Sequence, residues 1–151
     1  MISANDNYID TQYRSAVQHT ATLQKPRILI VEDEALLAMM AEDALRDAGA
    51  EIVGAAGSVT EALYLIEHVT NDGGLDAAVL DIRLNRELVT PVADRLAVLG
   101  VPFLFATGYS DAHDMGGHAA APLLHKPFAI NKLVAAVRGL ARIRTSETVG
   151  A

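Results

Sequence analysis

Apolar positions along this chain switch period several times, and the switches mark out its elements. Short continuous apolar runs at "RILIV" (27–31), "EIVGAA" (51–56), "DAAVLD" (76–81), "PFLFAT" (102–107) and "PLLH" (122–125) predict strands, with the first buried and the third buried on both faces. Between the first two runs, residues 34–49 put Leu37, Met40, Ala41, Ala44, Leu45 and Ala48 at helical spacing, with Glu42, Asp43, Arg46 and Asp47 opposite. Gly49 supplies a C-terminal stop. Ser58 with Glu61 three residues later reads as a capping box that opens a helix to about Val69. "NDGG" (71–74) is a turn. Thr90 before Pro91 predicts an N-cap and a first-turn proline, with the helix running to Leu99 and Gly100 beyond it. Residues 131–143 form a last amphipathic helix. Strands that alternate with helices give a parallel sheet, because each right-handed crossover returns the chain to the same edge.

Three segments fall outside this pattern or interrupt it. Residues 1–24 are polar and aperiodic and predict an arm, with Tyr8, Tyr13 and Val17 as a weak apolar stripe. Residues 145–151 predict a C-terminal tail, leaving 25–144 as the domain. Between the last two strands, Gly116 and Gly117 cost roughly 1 kcal/mol each relative to alanine in a helix, so 111–119 is expected to be irregular. The 151 residues suit one domain, and 51 % apolar with 21 % charged residues is an ordinary globular balance rather than a disordered one. A net charge of −7 without a basic cluster argues against a nucleic-acid surface. No apolar run approaches the roughly 20 residues that span a bilayer, and "MISANDNYIDTQYR" lacks signal-peptide character. The absence of cysteine excludes disulfides and fits the cytoplasm.

In a doubly wound sheet, chemistry collects at the carboxyl ends of the strands. Those ends carry Glu32 and Asp33, Asp81, Thr107 and Lys126. Three converging carboxylates repel, and a hard divalent cation such as Mg²⁺ relieves the repulsion with oxygen ligands and retained waters. A carboxylate is left over as a nucleophile toward a phosphoryl group. Asp81, ending a central strand, fills that role, with Lys126 and the Thr107 hydroxyl stabilising the transferring oxygens.

"ILIVEDEALL", "VLDIRL", "FATGY" and "HKPF" resemble, in order and in place, the four signature patches of the receiver domain of bacterial response regulators. The resemblance covers roughly 25–143. It implies a flavodoxin-like three-layer sandwich around a five-stranded parallel sheet, here with a short or degenerate fourth helix. By resemblance, Asp81 accepts a phosphoryl group from a histidine kinase or phosphotransfer protein. Asp33 binds Mg²⁺ directly, Glu32 through water, and the Arg83 backbone carbonyl is a further ligand. Thr107 and Lys126 are switch residues, and the Lys126–Pro127 bond is cis. "PFLFATGYS" is similar to a subgroup of stand-alone alphaproteobacterial regulators associated with HWE-class kinases and stress signalling. Such a protein is a phosphorylation switch rather than an enzyme, acting on a downstream regulatory protein.

The sequence departs from the common receiver pattern at three places. Leu123 stands where many receivers carry a switching aromatic, which leaves Tyr109 as the candidate reporter. Asn85 replaces a frequent proline four residues after Asp81. Arg83 sets a long cation two residues after it, close enough in sequence to pair with a phosphoryl group or screen it from water. Other readings compete with the switch. A phosphate sink or relay needs the same residues. An aspartyl-phosphate hydrolase of the haloacid-dehalogenase type needs two aspartates one residue apart, which "VEDEAL" lacks. Acids such as Glu32, Asp33 and Glu34 also open helices without further function. His113, Asp114 and His118 match no strong zinc spacing, and His125 reads as partly buried and structural.

Overall fold

In a computed structural model the described residues are 25–108 and 114–150, with side chains to 142. The strands are β1 (Arg27–Val31), β2 (Glu51–Ala56), β3 (Ala77–Asp81), β4 (Arg83–Leu84), β5 (Glu87–Leu88), β6 (Phe103–Thr107) and β7 (Leu123–His125). The helices are α1 (Ala35–Asp47), α2 (Val59–Thr70), α3 (Thr90–Val98) and α4 (Ile130–Gly150). Five strands form one sheet in the order β2-β1-β3-β6-β7, every pair parallel. This is the flavodoxin-like order, and the crevice at its reversal point opens at the carboxyl ends of β1 and β3.

The alternation of β-strand side chains separates two cores. Leu29, Val31, Ala78, Leu80, Phe103 and Phe105 meet Ala62 and Ile66 of α2 and Val92 and Leu96 of α3. Their neighbours Ile28, Ile30, Ala77, Val79, Leu104 and Ala106 meet Ala41 and Leu45 of α1 and Leu133 and Val137 of α4 on the other face. Strands buried on both faces therefore read as unbroken apolar runs.

Local signals held where chain neighbours suffice. Glu61 N–H donates to Ser58 Oγ at 3.1 Å, and the Glu61 carboxylate accepts from Gly57 N–H at 3.1 Å. Gly49 ends α1 at φ +97°. The structure corrects several expectations. α3 begins with Thr90 already helical and Val89 as the cap position, without a side-chain cap. The reason is a small antiparallel hairpin, β4–β5, absent from the prediction, which delivers Val89 N–H to Ile82 O at 2.8 Å. On α1 the buried residues are Ala38, Ala41 and Leu45, while Met40 is 50 % exposed. The inward face is thus turned toward the small residues, which let the helix lie close to the sheet. α4 continues past the predicted end at Ile143 to Gly150, there being no glycine or proline between 143 and 149 to stop it. The expected arm 1–24 lies outside the described residues.

Between β6 and β7, residues 114–122 form turns and contain no helix, in line with the irregular segment expected there; residues 111–113 of that expectation lie outside the described residues. Asp114 pairs with Arg83 at 2.9 Å, and His118 Nε2 lies 2.6 Å from Asp94 Oδ1 of α3. The His118 ring meets the edge of Phe103. Gly116 adopts φ +58°, and a Cβ there would lie 2.9 Å from Thr90 Cγ2, so a side chain is disfavoured both by conformation and by space.

Candidate functional site

The loop after β1 and the ends of β3, β6 and β7 bring the predicted residues together. Carboxylate oxygens of Glu32, Asp33 and Asp81 lie within 4.8 Å of one another. Lys126 Nζ donates to Glu32 Oε2 at 2.8 Å and to Asp81 Oδ2 at 3.1 Å. Its ammonium is held above the β3 end because Lys126 N–H donates to Thr107 O at 2.7 Å, continuing the β6–β7 ladder by one step. The Lys126–Pro127 bond is cis. Asp81 and Thr107 are the two buried polar or charged residues among those described. Thr107 Oγ1 is buried with no hydrogen-bond partner among the described residues.

One ammonium does not offset three carboxylates in this setting. Burial pushes the Asp81 and Glu32 carboxyls above the usual range, and the pull of Lys126 in the opposite direction does not cancel it. Beside the site, between α1 and α4, lies an apolar cleft of about 520 Å³ where Glu32 and Lys126 share walls with Leu37, Met40, Phe128 and Ile130. Lys126 itself is burdened by burial, yet the net effect of Glu32 and Asp81 holds its pKa above the ordinary value.

The donor set is hard oxygen, acidic and convergent, which fits a divalent cation of the Mg²⁺ type. The orphaned Thr107 hydroxyl, at the end of the strand paired with β3, is a donor that an anionic oxygen would satisfy. Asp81 and Lys126 are brought into direct contact at the strand ends. The guanidinium of Arg83 pairs with Asp114, with 41 % of its side chain exposed. Tyr109 and His113 lie outside the described residues. His118 is engaged by Asp94, and among the described residues the Glu32–Asp33–Asp81 group is the single metal-capable cluster. Sequence reasoning missed one element of the site. The backbone N–H of Asn85, in the β4–β5 turn, donates to Asp33 Oδ2 at 2.8 Å. The available signal was an asparagine in a two-residue turn between short strands, a position that favours φ > 0.

Residues 28–138 match the response regulator receiver domain family. The chain belongs to that family. This receiver is 35 % identical over 119 residues to the "Transcriptional regulatory protein PdtaR" of Mycobacterium tuberculosis, a match covering 74 % of this chain and 54 % of that protein. The chain thus spans about half the length of the curated relatives it matches. The solution structure of SdrG from Sphingomonas melonis Fr1 is 43 % identical, with a TM-score of 0.64, covering 77 % of this chain and 96 % of that one. A response regulator receiver protein from Sinorhizobium medicae WSM419 is 29 % identical, with a TM-score of 0.65, covering 82 % and 99 % respectively. Receivers work in two-component signalling with kinases or phosphotransfer proteins and are generally switches rather than enzymes. No helix among the described residues is long and apolar enough to cross a membrane.

Proposed function

We propose that residues 25–144 are a phosphorylation switch in which Asp81 takes a phosphoryl group from a histidine kinase or phosphotransfer protein and the change of state controls a protein partner. The observation that carries this reading is the placement of Lys126 Nζ between Glu32 and Asp81, with a partnerless Thr107 hydroxyl at the end of the neighbouring strand β6. An Asp81 oxygen attacks phosphorus, the bond from phosphorus to the donor's histidine nitrogen breaks, and that nitrogen keeps the electron pair and is reprotonated. Lys126 balances charge on the phosphoryl oxygens and Thr107 donates a hydrogen bond to one of them. Glu32, Asp33, Asp81 and the Arg83 carbonyl would hold Mg²⁺. When bound, the cation neutralises charge on the carboxylates and on the incoming group. The Pro-Phe-x-Phe-Ala-Thr-Gly-Tyr segment supports membership of the subgroup tied to stress signalling. Phosphotransfer from the kinases of the source organism tests the reading, with Mg²⁺-dependent label on Asp81 expected. Pull-downs with and without a phosphoryl mimic separate a switch with an output from a phosphate sink.

Cation binding should show in stability. At tenfold excess over Kd, a ligand adds RT ln 11, about 1.4 kcal/mol, or about 4 °C in Tm for a domain of this size. The pH dependence has a definite sign. Because the folded pKa values of Glu32 and Asp81 are raised, the folded state binds more protons than the unfolded one. Their contribution to stability is therefore largest at low pH and is lost as pH rises through the raised values. Protons on these groups also compete with the cation, so the Mg²⁺-induced rise in Tm is expected to be larger at pH 8 than at pH 5. A larger rise at pH 5 contradicts the assignment.

Phosphorylation should also raise amide protection in the segment after β6. Thr107 moving toward a phosphoryl oxygen pulls directly on the chain that leads to Tyr109. Amide exchange across 108–120 is expected to slow on addition of a phosphoryl mimic. Strong protection before the mimic, unchanged after it, returns the switch to β7 and α4.

A further inference from the structure

Each of the three clustered carboxylates is held by a donor, but not by the same one. Lys126 fixes Glu32 and Asp81, and Glu34 N–H also reaches Glu32 Oε1, at 3.2 Å. The hydrogen bond that fixes Asp33 comes from the Asn85 N–H, at 2.8 Å. That donor sits at the tip of an excursion whose two ends are nailed into the core. Leu84 is 2 % and Val89 is 1 % exposed, Arg83 pairs with Leu88 and Leu84 with Glu87, and Val89 N–H closes onto Ile82 O. Asn85 itself is exposed and is the one non-glycine among the described residues with positive φ, at 55°.

We propose that Asn85 is a positioning residue for the divalent-cation site: the β4–β5 turn exists to aim its N–H at Asp33 Oδ2. This inference rests on the cation reading above and adds to it a part of the chain that contacts no cation. An aspartate carboxylate has two oxygens and about four lone-pair sites. Tying down Oδ2 fixes the rotation of the group and leaves Oδ1 as the oxygen presented to a metal. Residues that orient metal ligands in this way are worth about 10–100-fold in metal affinity. Proline, with φ locked near −65° and no N–H, could adopt neither the turn nor the hydrogen bond. Asparagine tolerates the left-handed region better than most residues, and glycine tolerates it without strain.

Calorimetric titration of the full chain with MgCl₂ alone tests this without reference to phosphotransfer. Asn85→Gly keeps the N–H and the conformation and is expected to bind within about twofold of the native chain. Asn85→Pro is expected to bind about 10–100-fold more weakly. Equal binding by the native chain and Asn85→Pro overturns the inference, as does an Asn85→Gly variant as weak as Asn85→Pro. Should the proline variant not fold, the Asn85 amide itself decides in the native chain. Slow hydrogen exchange at that amide, lost in Asp33→Ala, is expected, and an amide that exchanges freely in the native chain overturns the inference. A native chain that binds no Mg²⁺ removes the cation reading itself, and this inference falls with it.

Discussion

If Asp81 is the phosphoacceptor proposed above, Asp81→Asn is expected to remove the acyl phosphate entirely. The amide nitrogen and oxygen cannot replace a carboxylate as nucleophile toward phosphorus, and no other carboxylate occupies the same place. Asp81 is 8 % exposed at the end of the central strand, with Lys126 Nζ on Oδ2 at 3.1 Å. Asp33 lies on the loop after β1, tied to the Asn85 N–H. The variant should stay folded, since an amide oxygen can still accept from Lys126 and the buried charge is gone. Phosphotransfer from a cognate kinase is expected to leave no label that is stable in acid and labile in base. Such a label on the variant would mean that Asp33 or Glu32 is the acceptor.

The second large effect is expected from Asp33→Asn, which should reduce phosphorylation by about two to four orders of magnitude. A cation that neutralises developing charge contributes several kcal/mol to the transition state, and each 1.36 kcal/mol is a factor of ten in rate. The substitution removes one of the three charges that make the site attractive to a divalent ion, while Lys126 remains to compete with the ion for Glu32 and Asp81. The diagnostic comparison is phosphotransfer in Mg²⁺ and in chelator. The native chain should lose activity in chelator. Asp33→Asn should be equally poor in both buffers. Native-like phosphotransfer by the variant in chelator would refute the metal-ligand role of Asp33.

Three groups of residues separate what was legible in the sequence from what was not. The three central strands were legible because both of their faces are buried: Ile28 to Val31 and Ala77 to Leu80 alternate between two cores, so no polar residue interrupts the run. The capping box at Ser58 and the stop at Gly49 were legible because their partners lie within a few residues. The grouping of the candidate site residues was legible for a related reason. A parallel sheet places the ends of its strands side by side, so the residue after each apolar run is already close to the others once the topology is known. Glu32, Asp33, Asp81, Thr107 and Lys126 needed no knowledge of side-chain geometry to be grouped.

Contacts between residues far apart in the chain were decided by the tertiary structure. The inward face of α1 depended on how closely the helix lies on the sheet, so Ala38 is buried and Met40 is not. The β4–β5 hairpin is too short to carry a periodic signal, and its two-residue strands are held by Leu84 and Val89 in the core rather than by propensity. The pairing of Arg83 with Asp114 spans 31 positions, and that of Asn85 with Asp33 spans 52. The direction of the pKa shifts likewise needed three dimensions, because the burial of Glu32 and Asp81 beside one ammonium is a property of packing. The sequence by itself determined the order of the elements and which residues stand at the strand ends, since both follow from period and chain neighbours. Only the folded chain decided which donor holds each carboxylate, because hydrogen bonds depend on distances of a few tenths of an ångström, and those are set by the packing of the two cores.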